Sequence, residues 1–142
     1  MMDTPHFRIE ANPALEDIRF LEDRLYEYNV EKIGIDDGQW LTVFLRDEQQ
    51  TIQAGLSGWT WCGSCYISAV WVHKDLRGQG MGTKLLQAAE QEARRRGSQH
   101  IVLSSFSFQA PGFYQKLGYE GFAVLDEHPR SHQHYYLHKW LW

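Results

Sequence analysis

No stretch of this chain reaches the roughly 18 consecutive apolar residues of a membrane span, and no membrane partner is expected. Met1 to Ile9 has neither a long apolar run nor the form of a secretory signal, so the expected location is the cytoplasm. Like charges never run beyond Arg94-Arg95-Arg96, and the net charge is −4. Nucleic acid is therefore disfavoured as a principal partner. No repeat, linker or low-complexity segment interrupts the chain. Cysteine is scarce: Cys62 and Cys65 are the two present, and a disulfide is not expected in a reducing cytosol. They form a C-x-x-C after Trp61, the spacing of thiol redox sites. Such a site needs its first cysteine at a helix N-terminus; here a period-two aromatic strand follows. The pair is two ligands short of a zinc site, and His128, His132, His134 and His138 follow no metal-binding pattern. No metal is expected.

What the chain has is an ordinary core: 43% apolar and 14% aromatic residues over 142 positions. That excludes disorder and suits one domain spanning residues 1–142. The acidic balance suits a cationic partner such as an amine.

The organising stretch runs from Val70 to Thr83. It begins as an apolar strand, Val70-Trp71-Val72, and ends in the first turn of a helix from about Gly80 to Arg96. Between them Gly78, Gly80 and Gly82 alternate with other residues. Glycine permits positive φ and close backbone approach. A helix start aims free N–H groups and the positive dipole end at that loop. The combination is a phosphate cradle, in which each hydrogen bond to a charged oxygen contributes about 1.5–3 kcal/mol. Neither the dinucleotide fingerprint nor the P-loop fits, because Thr83 stands where each needs another residue and Lys84 comes after it.

Taken in order, His6 to Glu10 reads as a short strand. Asn12-Pro13 reads as a helix start, with an apolar stripe of Leu15, Ile18, Leu21, Leu25 and Tyr28 to about Asn29. Strands are expected at Gln39–Arg46, Thr51–Cys62 and Cys65–Val72, the last two joined by a hairpin at Gly63-Ser64. The helix after the cradle places Met81, Leu85, Leu86, Ala89 and Ala93 on one side. Glu90–Arg94 and Glu92–Arg96 have favourable i,i+4 spacing, and the arginine run reads as a solvated helix end before Gly97. A strand at His100–Phe106, a short helix at Gln109–Leu117, a strand at Tyr119–Leu125 and a closing strand at His132–Leu141 complete the chain.

Arg77-x-x-Gly80-x-Gly82 after a strand resembles the coenzyme A pyrophosphate motif of the GNAT superfamily of N-acetyltransferases. A second segment, Ala110-Pro111-Gly112-Phe113-Tyr114-Gln115-Lys116-Leu117-Gly118-Tyr119, is similar to that superfamily's A-x-x-F-Y-x-K-x-G-F/Y pattern. The resemblance implies a single α/β (α+β) domain with a mixed, mostly antiparallel sheet of about six or seven strands and helices on both faces. It implies transfer of the acetyl group of acetyl-coenzyme A to a primary amine of a small molecule or peptide, by direct attack in a ternary complex. By position, Val70, Trp71 and Val72 pair with the pantetheine arm, and Arg77, Gly78, Gln79, Gly80, Met81, Gly82 and Thr83 hold the pyrophosphate. Tyr114 falls at the general acid. Ser107 stands where relatives often carry a cofactor-contacting Asn.

The base is a departure. Many relatives carry Glu on a central strand, whereas Cys65–Val72 and His100–Phe106 contain no carboxylate. The segments that border the acceptor cleft in the family hold Glu31, Asp36 and Asp37, then Asp126, Glu127, His128, His132 and His134. His132, at the start of the closing strand, is the first choice. Two other classes stay open: a non-catalytic acyl-coenzyme A sensor, and a C-x-x-C redox protein. The acceptor amine and the oligomeric state, a homodimer included, are not fixed by the sequence.

Overall fold

A computed structural model describes residues 5–142. Up to Asp36 the chain forms one compact unit, and from Asp37 onward a second.

The first unit is built on helix α1, Leu15–Ile33. His6–Glu10 forms no strand and is exposed. The helix starts later than the Asn-Pro signal, because Ala14 takes the extended N-cap conformation (φ −65°, ψ 140°) and its carbonyl accepts the first turn's N–H from Asp17 at 3.0 Å. It also ends one turn later, where Gly34 enters the left-handed region at φ 82° and donates its N–H to Val30. Within this unit Arg24 pairs with Glu27, and the Tyr26 hydroxyl donates to Asp36 at 2.8 Å.

The second unit contains β1 (Gln39–Arg46), β2 (Ile52–Trp61), β3 (Ser64–Val72), α2 (Met81–Arg95), β4 (His100–Phe106), α3 (Pro111–Lys116), β5 (Glu120–Asp126) and β6 (Gln133–Trp140). The fold is α+β with one six-stranded mixed sheet in the order β1-β2-β3-β4-β6-β5. All neighbours are antiparallel except β3 and β4. That parallel pair is bridged by α2, which gives the expected βαβ unit.

Period-two alternation puts Ala54, Leu56, Cys65, Ile67, Ile101, Leu103 and Leu137 into one core. Leu85, Leu86, Ala89 and Ala93 of α2 fill the same cluster, so the stripe read from the sequence is its buried face. Each fully buried leucine contributes about 1.5–3 kcal/mol. Helix α3 reaches that cluster through Phe113 and Tyr114, and its C-cap Leu117 packs there too.

The β2–β3 turn is Cys62-Gly63, one residue earlier than the sequence reading. Both residues have positive φ, 49° and 79°, and Trp61 pairs with Ser64 across them. That is the geometry of a type I′ hairpin, whose twist matches the strands. The charges around α2 also differ from expectation. Glu92 does pair with Arg96 at 3.0 Å, but Glu90 is buried and takes Lys139 at 3.1 Å rather than Arg94. The arginine run is an anchor more than a solvated end. Arg94 donates to the Leu141 carbonyl at 2.9 Å. Arg96 donates to the Trp40 carbonyl at 2.8 Å and to Thr60 Oγ1 at 3.1 Å. None of these three partners is visible in local helical spacing.

Candidate active site

The site begins with a fault in the sheet. Between β2 and β3 the register jumps: Ser57 opposes Ala69, but Gly58 opposes Ile67. Ser68 is therefore an extra residue, a β-bulge, and bulges bend the strand that carries them. Gly58 is needed there, since a Cβ would lie 2.6 Å from the Tyr66 carbonyl. Before the bulge, β3 pairs with β4 at Ser64–His100, Cys65–Ile101 and Tyr66–Val102. Beyond it the two strands run on to Val72 and Phe106 without pairing. A cavity of about 740 Å³ occupies the wedge, lined by Ile67–Val72, Arg77, Leu103–Phe106, Phe108–Ala110, Tyr114 and His134.

This wedge gives β3 an unusual edge. Its far side is fully paired with β2 up to Val72, while the near side past Tyr66 turns its backbone groups to the cavity. Buried N–H and C=O groups require partners, so the edge at Val70, Trp71 and Val72 can take an extended ligand bearing amides. The β3 end is tied to the loop that follows, because Arg77 Nε donates to the Val72 carbonyl at 3.0 Å.

The glycines of that loop divide in purpose. Gly78 and Gly80 have φ of 75° and 78°, which only glycine adopts without strain. Gly80 is the N-cap of α2, and no side chain caps the helix. Its carbonyl accepts from Lys84 N–H at 3.1 Å, so the N–H groups of Met81, Gly82 and Thr83 have no partner within the helix. Gln79 is held by its side-chain bond to the Asp75 carbonyl at 3.1 Å. Gly82 lies inside the helix, where a Cβ would meet Phe113 Cζ at 3.0 Å. Its missing side chain lets α3 pack against α2.

Tyr114 is the one residue of α3 proper on the cavity wall apart from its preceding cap, Ala110. Burial pushes its phenol above the ordinary tyrosine value, so it stays protonated. Its ring meets Phe113 at 5.1 Å and Tyr119 at 6.0 Å, both edge-on. The Tyr114 carbonyl accepts the N–H groups of Leu117 and Tyr119 at 3.0 and 3.1 Å. A buried cluster then fixes Tyr119: its hydroxyl donates to Glu90 at 2.9 Å. Lys139 donates to both oxygens of Glu90 at 3.1 Å and to the Leu117 carbonyl at 2.8 Å. This cluster joins α2, the end of α3 and β6 around the tyrosine.

Not every residue singled out in the sequence reaches the cavity. Ser107 accepts from Gln133 N–H through Oγ at 3.0 Å and donates its own N–H to the Gln133 carbonyl at 2.8 Å; it laces β4 to β6 and lies outside the lining. His132 is exposed, edge-on to Phe108 at 5.0 Å, and is also outside the lining. Asp37 accepts from Cys62 N–H at 2.9 Å, Asp126 from Gln133 at 2.8 Å and Glu127 from Ser131 N–H at 3.0 Å. No lining residue is a carboxylate. His134 does line the cavity, and the alternation Tyr135, Leu137, Lys139 against His134, Tyr136, His138 was the signal for its face.

The two cysteines are free thiols. Cys65 points into the core, where burial pushes its thiol up to about 11, the reverse of a redox cysteine. Among the described residues no group of three or more His, Cys, Asp or Glu is placed to hold a metal, and no helix is long and apolar enough to cross a membrane.

A parallel pair opened by a bulge, a glycine-rich helix start and a half-buried tyrosine on the cavity wall thus lie within one βαβ unit and the short helix that follows it. The acetyltransferase (GNAT) domain profile matches residues 39–121, and the chain belongs to that family. It is 32% identical over 99 residues to an acetyltransferase of Agrobacterium fabrum, covering 70% of this chain and 72% of that protein. It is 36% identical over 89 residues to the blasticidin-S acetyltransferase of Streptomyces morookaense, covering 58% and 61%. Among solved structures, an acetyltransferase from Bacillus cereus superposes with TM-score 0.77 at 28% identity, covering 94% and 97%. An aminoglycoside 6′-N-acetyltransferase complexed with coenzyme A shares the fold at TM-score 0.64 and 19% identity, covering 92% and 93%.

Proposed function

We propose that this chain transfers the acetyl group of acetyl-coenzyme A to a primary amine of a small molecule or peptide, by direct attack within a ternary complex. The observation that carries the reading is the unpaired edge of β3, opened by the Ser68 bulge onto a cavity of about 740 Å³ with Tyr114 on its wall. Small-molecule amines are favoured as acceptors by the likeness to the blasticidin-S enzyme.

The residues fit the cofactor's chemistry. Backbone groups of Val70, Trp71 and Val72 would take the amides of the pantetheine arm, as a missing β4 neighbour would. The uncapped N–H groups of Met81, Gly82 and Thr83, with the Gly78–Gly80 turn and Arg77, would hold the diphosphate at the positive end of α2. The bound thioester supplies the activated acetyl group. Tyr114 holds a proton at its hydroxyl and donates it to sulfur as the carbon–sulfur bond breaks. A phenol has an ordinary pKa near 10 and a thiol about 8.5; a phenol raised further by burial makes full transfer mildly uphill, so the donor stays loaded between turnovers.

The test is a panel of small amines and peptide N-termini with purified protein and acetyl-coenzyme A, read by free thiol and by mass of the acetylated product. Amine-dependent thiol release is expected. Tight acetyl-coenzyme A binding with no turnover on any amine would leave a sensor module as the account.

A further inference from the structure

We propose that His134 is the group that takes the proton from the acceptor ammonium, at Nε2 and either directly or through one water. This rests on the acetyl-transfer reading above and supplies the base that the central strands lack.

Only three lining residues carry an ionisable side chain: Arg77, Tyr114 and His134. An arginine does not release its proton, and the Tyr114 phenol is protonated. His134 alone among them accepts a proton near neutral pH. Its place is set by the sheet. In β6 it pairs with Phe106 of β4 and Leu125 of β5, three residues from the core pair Leu103–Leu137. Strand alternation therefore puts it on the face opposite α2. Tyr114, which packs against the α2-side core, approaches the wedge from the other face. Base and acid thus flank the gap between β3 and β4 from its two sides, so one can serve the attacking nitrogen and the other the departing sulfur.

The imidazole is held rather than free. It is nine-tenths buried, with Phe106 at 4.3 Å, Tyr136 at 4.5 Å and a stacked His128 at 5.2 Å. Nδ1 is buried without a hydrogen-bond partner among the described residues; for Nε2 to accept, Nδ1 carries the ring proton of the neutral imidazole. The ionisable groups around it are His128 from the loop before β6, Tyr136 on β6 itself, and Tyr114 and Arg77 across the cavity. Burial first, and then His128, lowers its pKa below the ordinary imidazole value. It is neutral at pH 7 and ready to accept.

The protons balance. An alkylammonium of pKa about 10.4 must lose one proton before its nitrogen has a lone pair to attack with. That proton goes to His134 and on to solvent. The new carbon–nitrogen bond forms, the carbon–sulfur bond breaks, and sulfur takes the Tyr114 proton. The amide nitrogen's second proton restores the phenol. One proton is released per turnover.

The experiment compares His134→Gln, His132→Gln and the unsubstituted protein on an amine that the panel identifies. In the unsubstituted protein kcat/KM should rise with pH along a limb centred below about 6.5. His134→Gln should lose that limb and fall about 10²–10⁴-fold in kcat, with the acetyl-coenzyme A Kd from calorimetry unchanged. His132→Gln should keep both. A His134→Gln protein with the original rate and limb overturns the proposal and leaves acetyl transfer standing. Loss of cofactor affinity in step with rate also overturns it, as a structural effect. No turnover by the unsubstituted protein overturns the transfer reading and this one together. Should His134→Gln fail to fold, histidine nitrogen resonances of the unsubstituted protein decide. His134 should titrate at the pH of the kinetic limb, and a mismatch overturns the assignment.

Discussion

At Ser64–Tyr66, strand β3 is paired on both sides, with β2 and with β4; at Ala69–Val72 it is paired with β2 alone. The chain reaches both arrangements in nine residues, and the change falls at a one-residue bulge. The closed end has its backbone groups satisfied by neighbours and Cys65 in the core. The open end leaves polar backbone on a cavity, which costs stability unless something binds there. A sheet gains a binding site where it gives up pairing. Substitutions at the two ends should therefore move different observables.

The largest effect belongs to the open end. Tyr114→Phe should lower kcat about 10²–10⁴-fold and hardly move the unfolding midpoint, since the hydroxyl has no partner among the described residues to lose. An unchanged kcat would return Tyr114 to a packing role. Next comes the buried cluster of Glu90, Tyr119 and Lys139. Glu90→Ala strips Lys139 of its carboxylate and leaves it the Leu117 carbonyl. Removing one partner of a buried pair costs about 3–5 kcal/mol, and the partial exposure of Lys139 points to about 3 by urea unfolding. At the closed end, Gly58→Ala drives a methyl against the Tyr66 carbonyl and should cost about 1–3 kcal/mol. Gly112→Ala, with nothing within 4 Å of its Cβ, is the control and should cost nothing. The smallest effect is chemical. With its thiol at about 11, Cys65 is ionised in roughly one molecule in a thousand at pH 8. Iodoacetamide should label the half-buried Cys62 and spare Cys65 until the protein is unfolded. Equal labelling of both would contradict the burial of Cys65.

The open end was the more legible of the two in sequence. An apolar strand, alternating glycines and a helix start are local signals, and Val70–Thr83 carries all three. Phe113-Tyr114 before Gly118-Tyr119 is likewise local, and its Tyr114 stands on the cavity wall. What escaped was non-local. The Glu90–Lys139 pair spans 49 positions, so local spacing offered Arg94 instead. The order of β5 and β6 and the bulge at Ser68 depend on pairing partners, which no single segment reveals. The N-terminal boundary failed for another reason. Asn12-Pro13 is a good helix start, but Ala14 needs only the extended conformation to serve as N-cap. His132 and His134 differ by two positions and share a parity. Reach, not face, separates them: His134 is seated in the ladder between Phe106 and Leu125, while His132 precedes the strand.

The order β4-β6-β5 has a further consequence, for how the molecule is made. Chains are synthesised from the N-terminus and fold as they emerge. β4 is laid down long before residues 133–140, yet its partner on one side is β6. Until that segment arrives, the edge bearing Ile101, Leu103 and Ser105 stays unpaired, and an open edge is a template for the wrong neighbour. The same late segment brings Lys139 to Glu90 and the Leu141 carbonyl to Arg94. Its arrival locks the helix behind the cradle, so a nascent chain stalled before Gln133 would have the cradle's sequence without its frame.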